Sequence, residues 1–135
     1  HVATKIRPAL NRGKDVVCDR FVGSSLAYQG YARDLGIEEV RALSTFATDG
    51  LVPDLVLLMV VPPEEAAIRL AAAGTPDRLE AAGEEFHRKV AEAYLILAAH
   101  DPDRWVVIDG SGTVGEVGAR VLEAVEARLP SEAGT

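Results

Sequence analysis

Apolar residues along this chain fall into two rhythms. Where they recur every three or four positions the chain should wind into amphipathic helices, and where they run unbroken it should form strands buried on both faces. Val2, Ile6 and Leu10 are spaced by four and predict a helix over 2–10, closed by Asn11-Arg12-Gly13-Lys14 with Gly13 suited to the C′ position. The short run 16–18 then reads as a buried strand. Ser24 or Ser25 can cap a helix that continues through Arg33. Gly36 breaks the pattern before a second helix, in which Ile37, Val40, Leu43 and Phe46-Ala47 keep helical spacing until Asp49-Gly50. The run 55–61 predicts a second buried strand, ended by Pro62-Pro63, which pre-set the first turn of a helix over 64–73. After an interruption at Gly74-Thr75-Pro76, the residues Phe86, Val90, Tyr94 and Leu97 mark a long helix ending near His100. Asp101-Pro102-Asp103 makes a turn, and 105–109 a third strand. Thr113 with Glu116 forms a capping box opening a helix with Val114, Val117, Val121, Val125 and Leu129 inward, and 130–135 read as a frayed tail.

Strands separated by helices imply an α/β fold with a parallel sheet and right-handed crossovers. At 135 residues, 48% hydrophobic and 26% charged, the chain fits a single soluble domain. No apolar run approaches the length of a membrane span, and no signal-peptide pattern is present, so the chain is expected to be cytoplasmic. A formal charge of −7 argues against duplex nucleic acid as a partner, whereas a few arginines still suffice for a small phosphorylated ligand. Cys18 is the sole cysteine, which removes disulfides and cysteine zinc sites and leaves it as a small buried hydrophobe. His1, His87 and His100 have no metal-ligand spacing, and His87 reads as a helix-surface residue.

The chemistry concentrates where the first strand ends. In open α/β sheets ligands sit outside the carboxyl ends of the strands, which is where Asp19 and Arg20 fall. A carboxylate there can hold Mg²⁺ or its water shell, and an arginine can fork onto phosphate oxygens. A structural Asp19–Arg20 ion pair is the plainer reading of the same two residues.

The surrounding residues go further. Asp19-Arg20-Phe21 followed by Ser24-Ser25-Leu26-Ala27-Tyr28-Gln29-Gly30 resembles the signature of bacterial thymidylate kinases. So do Gly36-Ile37-Glu38-Glu39-Val40, Leu51-Val52-Pro53-Asp54-Leu55, Pro63-Glu64-Glu65-Ala66, Asp77-Arg78-Leu79-Glu80, Phe86-His87 and Tyr94-Leu95, in that order. The resemblance implies a three-layer P-loop-type parallel sheet flanked by helices, with 1–135 as the C-terminal part of one nucleoside monophosphate kinase domain. It also implies a strand and a GxxxxGK[ST] loop ahead of His1. That loop is absent from these residues, and Gly110-Ser111-Gly112 lacks its lysine and spacing. The chain is therefore expected to be part of a longer protein, inactive and poorly folded alone.

The implied activity is transfer of the γ-phosphoryl group of Mg-ATP to dTMP by a homodimer. Arg20 would clamp the acceptor phosphate and Asp19 would hold Mg²⁺ through water. Ser24, Ser25, Tyr28, Gln29 and Tyr94 would line the nucleoside pocket, although Ser24 and Ser25 can equally cap a helix and Tyr94 also suits the core. Residues 74–80 would be a lid over ATP, with Arg69 and Arg78 as its cations. Leu70-Ala71-Ala72-Ala73 lacks the further arginines of many bacterial members, and Val60 stands where the family carries an aspartate. Gly110-Ser111-Gly112 could border adenine, or be a plain loop. A kinase of another nucleoside monophosphate, or a non-catalytic nucleotide-binding or dimerising remnant, are the alternatives.

Overall fold

A computed structural model describes residues 1–74 and 83–129. They form two compact units, one of residues 1–52 with 88–94, the other drawn from 53–87 and 95–135. Helix α5 (Glu84–His100) supplies residues to both.

The first unit is helical. Helix α1 (2–10) starts as a π-helical turn, Val2–Ile6, and continues as Arg7–Leu10, with Pro8 near the start of the α-helical turn. It ends at Leu10 with Asn11 as C-cap, so Gly13 falls one position beyond the expected C′ and takes up the left-handed region (φ 69°), where a residue without Cβ costs least. Helix α2 (22–32) begins with Val22–Ser25 and widens to a π-helical stretch over Leu26–Ala32. Helix α3 (Ile37–Thr48) follows Gly36 and closes at Asp49, itself left-handed. Arg7 reaches that end, donating to the carbonyls of Thr48 (3.3 Å) and Asp49 (2.6 Å) and pairing with the Asp49 carboxylate. A cation at a helix C-terminus satisfies orphan carbonyls and the negative dipole end together. Ile6, Leu26, Ala27, Ala32, Val40, Val90 and Ala93 are buried. Helices α2 and α3 come so close that a Cβ on Gly30 would lie 3.2 Å from the Ile37 Cα.

In the second unit, β1 (Val56–Val60) and β2 (Trp105–Asp109) pair in parallel, with Val56 opposite Trp105 and Val60 opposite Asp109. The bonds Val56 N–H to Arg104 O (2.9 Å) and Gly110 N–H to Val60 O (2.8 Å) continue the ladder at either end. Helix α4 (Pro63–Ala73) has Pro62 as N-cap and Pro63 in its first turn, and α6 (Val114–Arg128) packs on β2. The predicted capping box is present, with Thr113 Oγ1 accepting from Glu116 N–H and the Glu116 carboxylate accepting from Thr113 N–H. A mixed helix–strand fold with a parallel sheet therefore stands.

Several expectations are corrected. Residues 16–18 form no strand; the segment is exposed, with Val17 at 99%, because the described residues give it no neighbour to take its N–H and C=O groups. Cys18 is exposed rather than buried. Strand β1 is half-buried or exposed along its length instead of covered on both faces, since among the described residues it has one partner strand. Leu43 and Phe46 (88%) on α3, and Val114 (92%) and Leu129 at the ends of α6, face outward despite their helical spacing. Ser24 and Ser25 cap nothing: α2 starts earlier, after Phe21, so both lie inside the helix. His87 is half-buried, with Nε2 shielded from solvent.

Candidate functional site

The turn entering α2 is unusual. Arg20 has φ 61°, a left-handed conformation that an ordinary side chain adopts at a cost of about 1–2 kcal/mol. Such residues cluster at functional sites, where surrounding contacts hold them in place. Here the Cys18 thiol donates to the Arg20 carbonyl across 3.3 Å. The Arg20 guanidinium sits 5.6 Å from the centre of the Tyr28 ring, within cation–π range. Among the described residues it makes no ion pair with Asp19, so the plainer reading of that dipeptide does not hold.

Ser24 and Tyr28 stand one helical turn apart on α2 and meet the same residue of α5. The Ser24 and Tyr94 hydroxyls share a hydrogen bond of 2.9 Å, and the Tyr94 ring stands edge-on to Tyr28 at 6.4 Å between centroids and 79° between planes. Arg20, Ser24, Tyr28 and Tyr94 thus form one cluster in the first unit. It offers a cation, two phenols and a hydroxyl, the groups that suit a phosphorylated, hydroxylated, partly aromatic small molecule. Tyr94 belongs to the apolar stripe of α5 and to this cluster at once. Ser25 is half-buried nearby in sequence, while Gln29 and Asp19 are exposed. No group of three or more His, Cys, Asp or Glu side chains that could hold a metal occurs among the described residues.

Of the residues assigned to a lid, Arg78 and most of 74–80 lie outside the described residues, as does the tail 130–135. Arg69 belongs to the second unit and is committed there. It pairs with Glu65 and donates to the carbonyls of Gly110 (2.9 Å) and Gly112 (3.5 Å), tying α4 to the loop after β2.

Sequence reading missed how firmly that loop is built. Arg120 donates to the carbonyls of Asp109 (2.7 Å) and Ser111 (2.8 Å). The Asp109 carboxylate accepts from the Ser111 hydroxyl (2.6 Å) and N–H (2.9 Å). These two bonds from Ser111, with Arg120 nearby, hold the Asp109 carboxyl below its usual range, and the Thr113 N–H and hydroxyl do the same for Glu116. Gly110 is packed so closely that a Cβ would lie 3.0 Å from Val61 Cγ2. Beside the loop runs a groove of about 690 Å³, lined among others by Met59, Val61, Arg69, Val117 and Val121. The Asp109-x-Ser111 spacing was the one available signal, as an acceptor side chain two residues ahead of its donor makes an Asx turn.

Comparison with known proteins bears on the whole chain. A family model described as thymidylate kinase matches residues 1–121. The chain is 49% identical over 130 residues to a thymidylate kinase of Synechococcus sp. (strain JA-2-3B'a(2-13)) and 44% identical over 131 residues to one of Bacillus pumilus, covering 96% of this chain and 62% of each relative. A thymidylate kinase of Leifsonia xyli is 48% identical over 130 residues, with 96% of this chain and 61% of the relative covered. The chain thus spans about three-fifths of the length of these relatives. With a family match that takes in the Arg20 cluster and most of the chain besides, this protein belongs to the thymidylate kinase family.

Proposed function

We infer that the protein of which these residues form part transfers the γ-phosphoryl group of ATP to dTMP, and that the Arg20 cluster is its acceptor site. The observation that carries this reading is the convergence of Arg20, Ser24, Tyr28 and Tyr94 in one place. In the transfer, an acceptor phosphate oxygen attacks the γ-phosphorus and the bond to ADP breaks, giving dTDP and ADP. Little covalent chemistry falls to the protein; positioning and charge neutralisation supply the rate. The Arg20 guanidinium, in cation–π range of Tyr28 and in no ion pair among the described residues, serves as the fork for phosphate oxygens. Tyr28 and Ser25 border the nucleoside, and Gln29, exposed at the next position, supplies an amide for the pyrimidine edge.

Mg²⁺, when bound, spreads the charge of the transferring phosphates. Such an ion is held mainly by phosphate and water with one or two carboxylates. Asp19 beside Arg20 fits that demand as a contact through water. Soluble, cytoplasmic and homodimeric operation belongs to the same reading. Among the described residues, no helix is long and apolar enough to cross a membrane.

A second reading, nucleotide binding without turnover, has the commitment of Arg69 in its favour, because a guanidinium already bound to carbonyls is lost to a phosphate donor. One experiment separates the two. The protein as encoded is titrated with dTMP, dUMP, dCMP, dGMP and thymidine, then supplied with Mg-ATP and assayed for dTDP. Tight dTMP binding with turnover that Arg20→Ala lowers by about 10³-fold or more supports the kinase. Binding without turnover supports the second reading, and preference for another monophosphate moves the acceptor.

A further inference from the structure

We propose that the Ser24–Tyr94 hydrogen bond is a latch that positions Arg20 through Tyr28, so that Ser24 and Tyr94 serve phosphate recognition without touching phosphate. The inference rests on the acceptor-site reading above and deepens it.

Arg20 is exposed, left-handed and without an ion-pair partner among the described residues. Among the described residues, its guanidinium lies over the Tyr28 ring. The Tyr28 ring is in turn backed edge-on by Tyr94. Tyr94 lies in a helix stripe with buried Val90, Ala93 and Leu97, where a phenylalanine would pack as well. What distinguishes tyrosine here is the hydroxyl, and that hydroxyl is spent on Ser24, 70 residues away in the chain. Ser24 lies one turn before Tyr28 on the same helix, so the bond fixes the distance between the two elements that carry the two rings. Fixing Tyr94 fixes the edge against Tyr28, and fixing Tyr28 fixes the platform on which the cation rests. The Ser24 hydroxyl is thereby assigned to the latch rather than to the nucleobase. Such second-layer contacts decide whether a site holds its productive geometry.

The test compares dTMP with thymidine, which differs by the phosphate, in calorimetric titrations of the protein as encoded. Loss of one hydrogen bond of this class should reduce the preference for dTMP over thymidine about 3–10-fold in Ser24→Ala and in Tyr94→Phe, thymidine itself losing less because only its contact with Tyr28 is disturbed. Ser24→Thr, which keeps the hydroxyl, should retain the preference. The double variant should be no worse than either single one, because both break the same bond. If both ligands weaken equally, or the double variant is additive, Ser24 and Tyr94 shape the pocket only and the latch is wrong. A wild-type protein that binds thymidine as well as dTMP would overturn the acceptor-site reading itself, and the latch with it.

Discussion

Replacing Arg20 by glycine and by alanine separates the residue's backbone from its side chain. Both substitutions remove the guanidinium and its contact with Tyr28, worth about 0.5–1 kcal/mol at an exposed site. Alanine keeps a Cβ in the left-handed conformation at φ 61° and so keeps the strain of about 1–2 kcal/mol. Glycine is free of that strain but gives up about 0.5–1 kcal/mol in the conformational entropy of the unfolded chain. The difference leaves Arg20→Gly more stable than Arg20→Ala by about 0.5–1 kcal/mol, or about 2–4 °C in melting temperature for a domain of this size. That order is the reverse of the usual one, in which glycine is the costlier residue. Thermal or denaturant unfolding of the two variants side by side measures it. Phosphate recognition should fail equally in both, shown as loss of the dTMP preference over thymidine. If Arg20→Gly melts at or below Arg20→Ala, the turn stores no strain and the account of Arg20 as a residue held against its preference fails.

Other consequences are more local. Thr113→Ala removes the hydroxyl that accepts from the Glu116 N–H, leaves the backbone half of the capping box, and should cost about 1 kcal/mol, with Thr113→Ser restoring most of it in denaturant titrations. Asp109 and Glu116 have carboxyls held below their ordinary values, so their hydrogen bonds stabilise the loop fully above the usual carboxylate range and are lost as pH falls through the lowered values. Protection factors at the Ser111 and Thr113 amides, taken against the intrinsic exchange rate at each pH, should therefore fall on acidification below about pH 4 and stay steady from pH 6 to 8; no change on acidification would refute the assigned bonds. Gly30→Ala presses a methyl group against the backbone of Ile37 and Gly36, at 3.2 and 3.4 Å, and should destabilise by about 1 kcal/mol in spite of alanine's higher helix propensity. The 135 residues alone, with Val17, Phe46 and Val114 almost fully exposed, should bind a hydrophobic dye and aggregate, where a sharp cooperative melt as a monomer would contradict this.

What the sequence made legible was local. The Thr113–Glu116 box, the strand Trp105–Asp109, the prolines opening α4 and the breaks near Gly13 and at Asp49-Gly50 all follow from chemistry within a few residues. Residues 16–18 read as a strand because their composition suits one, but a strand exists only when a neighbour completes its hydrogen bonds. Periodicity placed Leu43, Phe46 and Val114 on apolar stripes without saying whether anything covers those stripes. The Ser24–Tyr94 bond joins positions that neither spacing nor propensity relates, and Tyr94 gave two answers because one side chain occupies both a packed stripe and a polar cluster. Family resemblance chose the residues of the cluster; the fold decides which of them touch.

Most backbone groups of the loop after β2 are already engaged. Carbonyls of Asp109, Gly110, Ser111 and Gly112 are engaged by Arg120 and Arg69, and the N–H groups of Gly110, Ser111 and Thr113 by Val60, Asp109 and Glu116. Little is left there to read a solute's pattern of donors and acceptors. A molecule entering the adjoining groove would meet valine and methionine side chains and a glycine backbone, with Arg69 and Thr113, both already bonded, as its polar lining, and would be sorted more by its outline than by its polar groups. The rim of that groove is closer to a stencil than to a template of donors and acceptors.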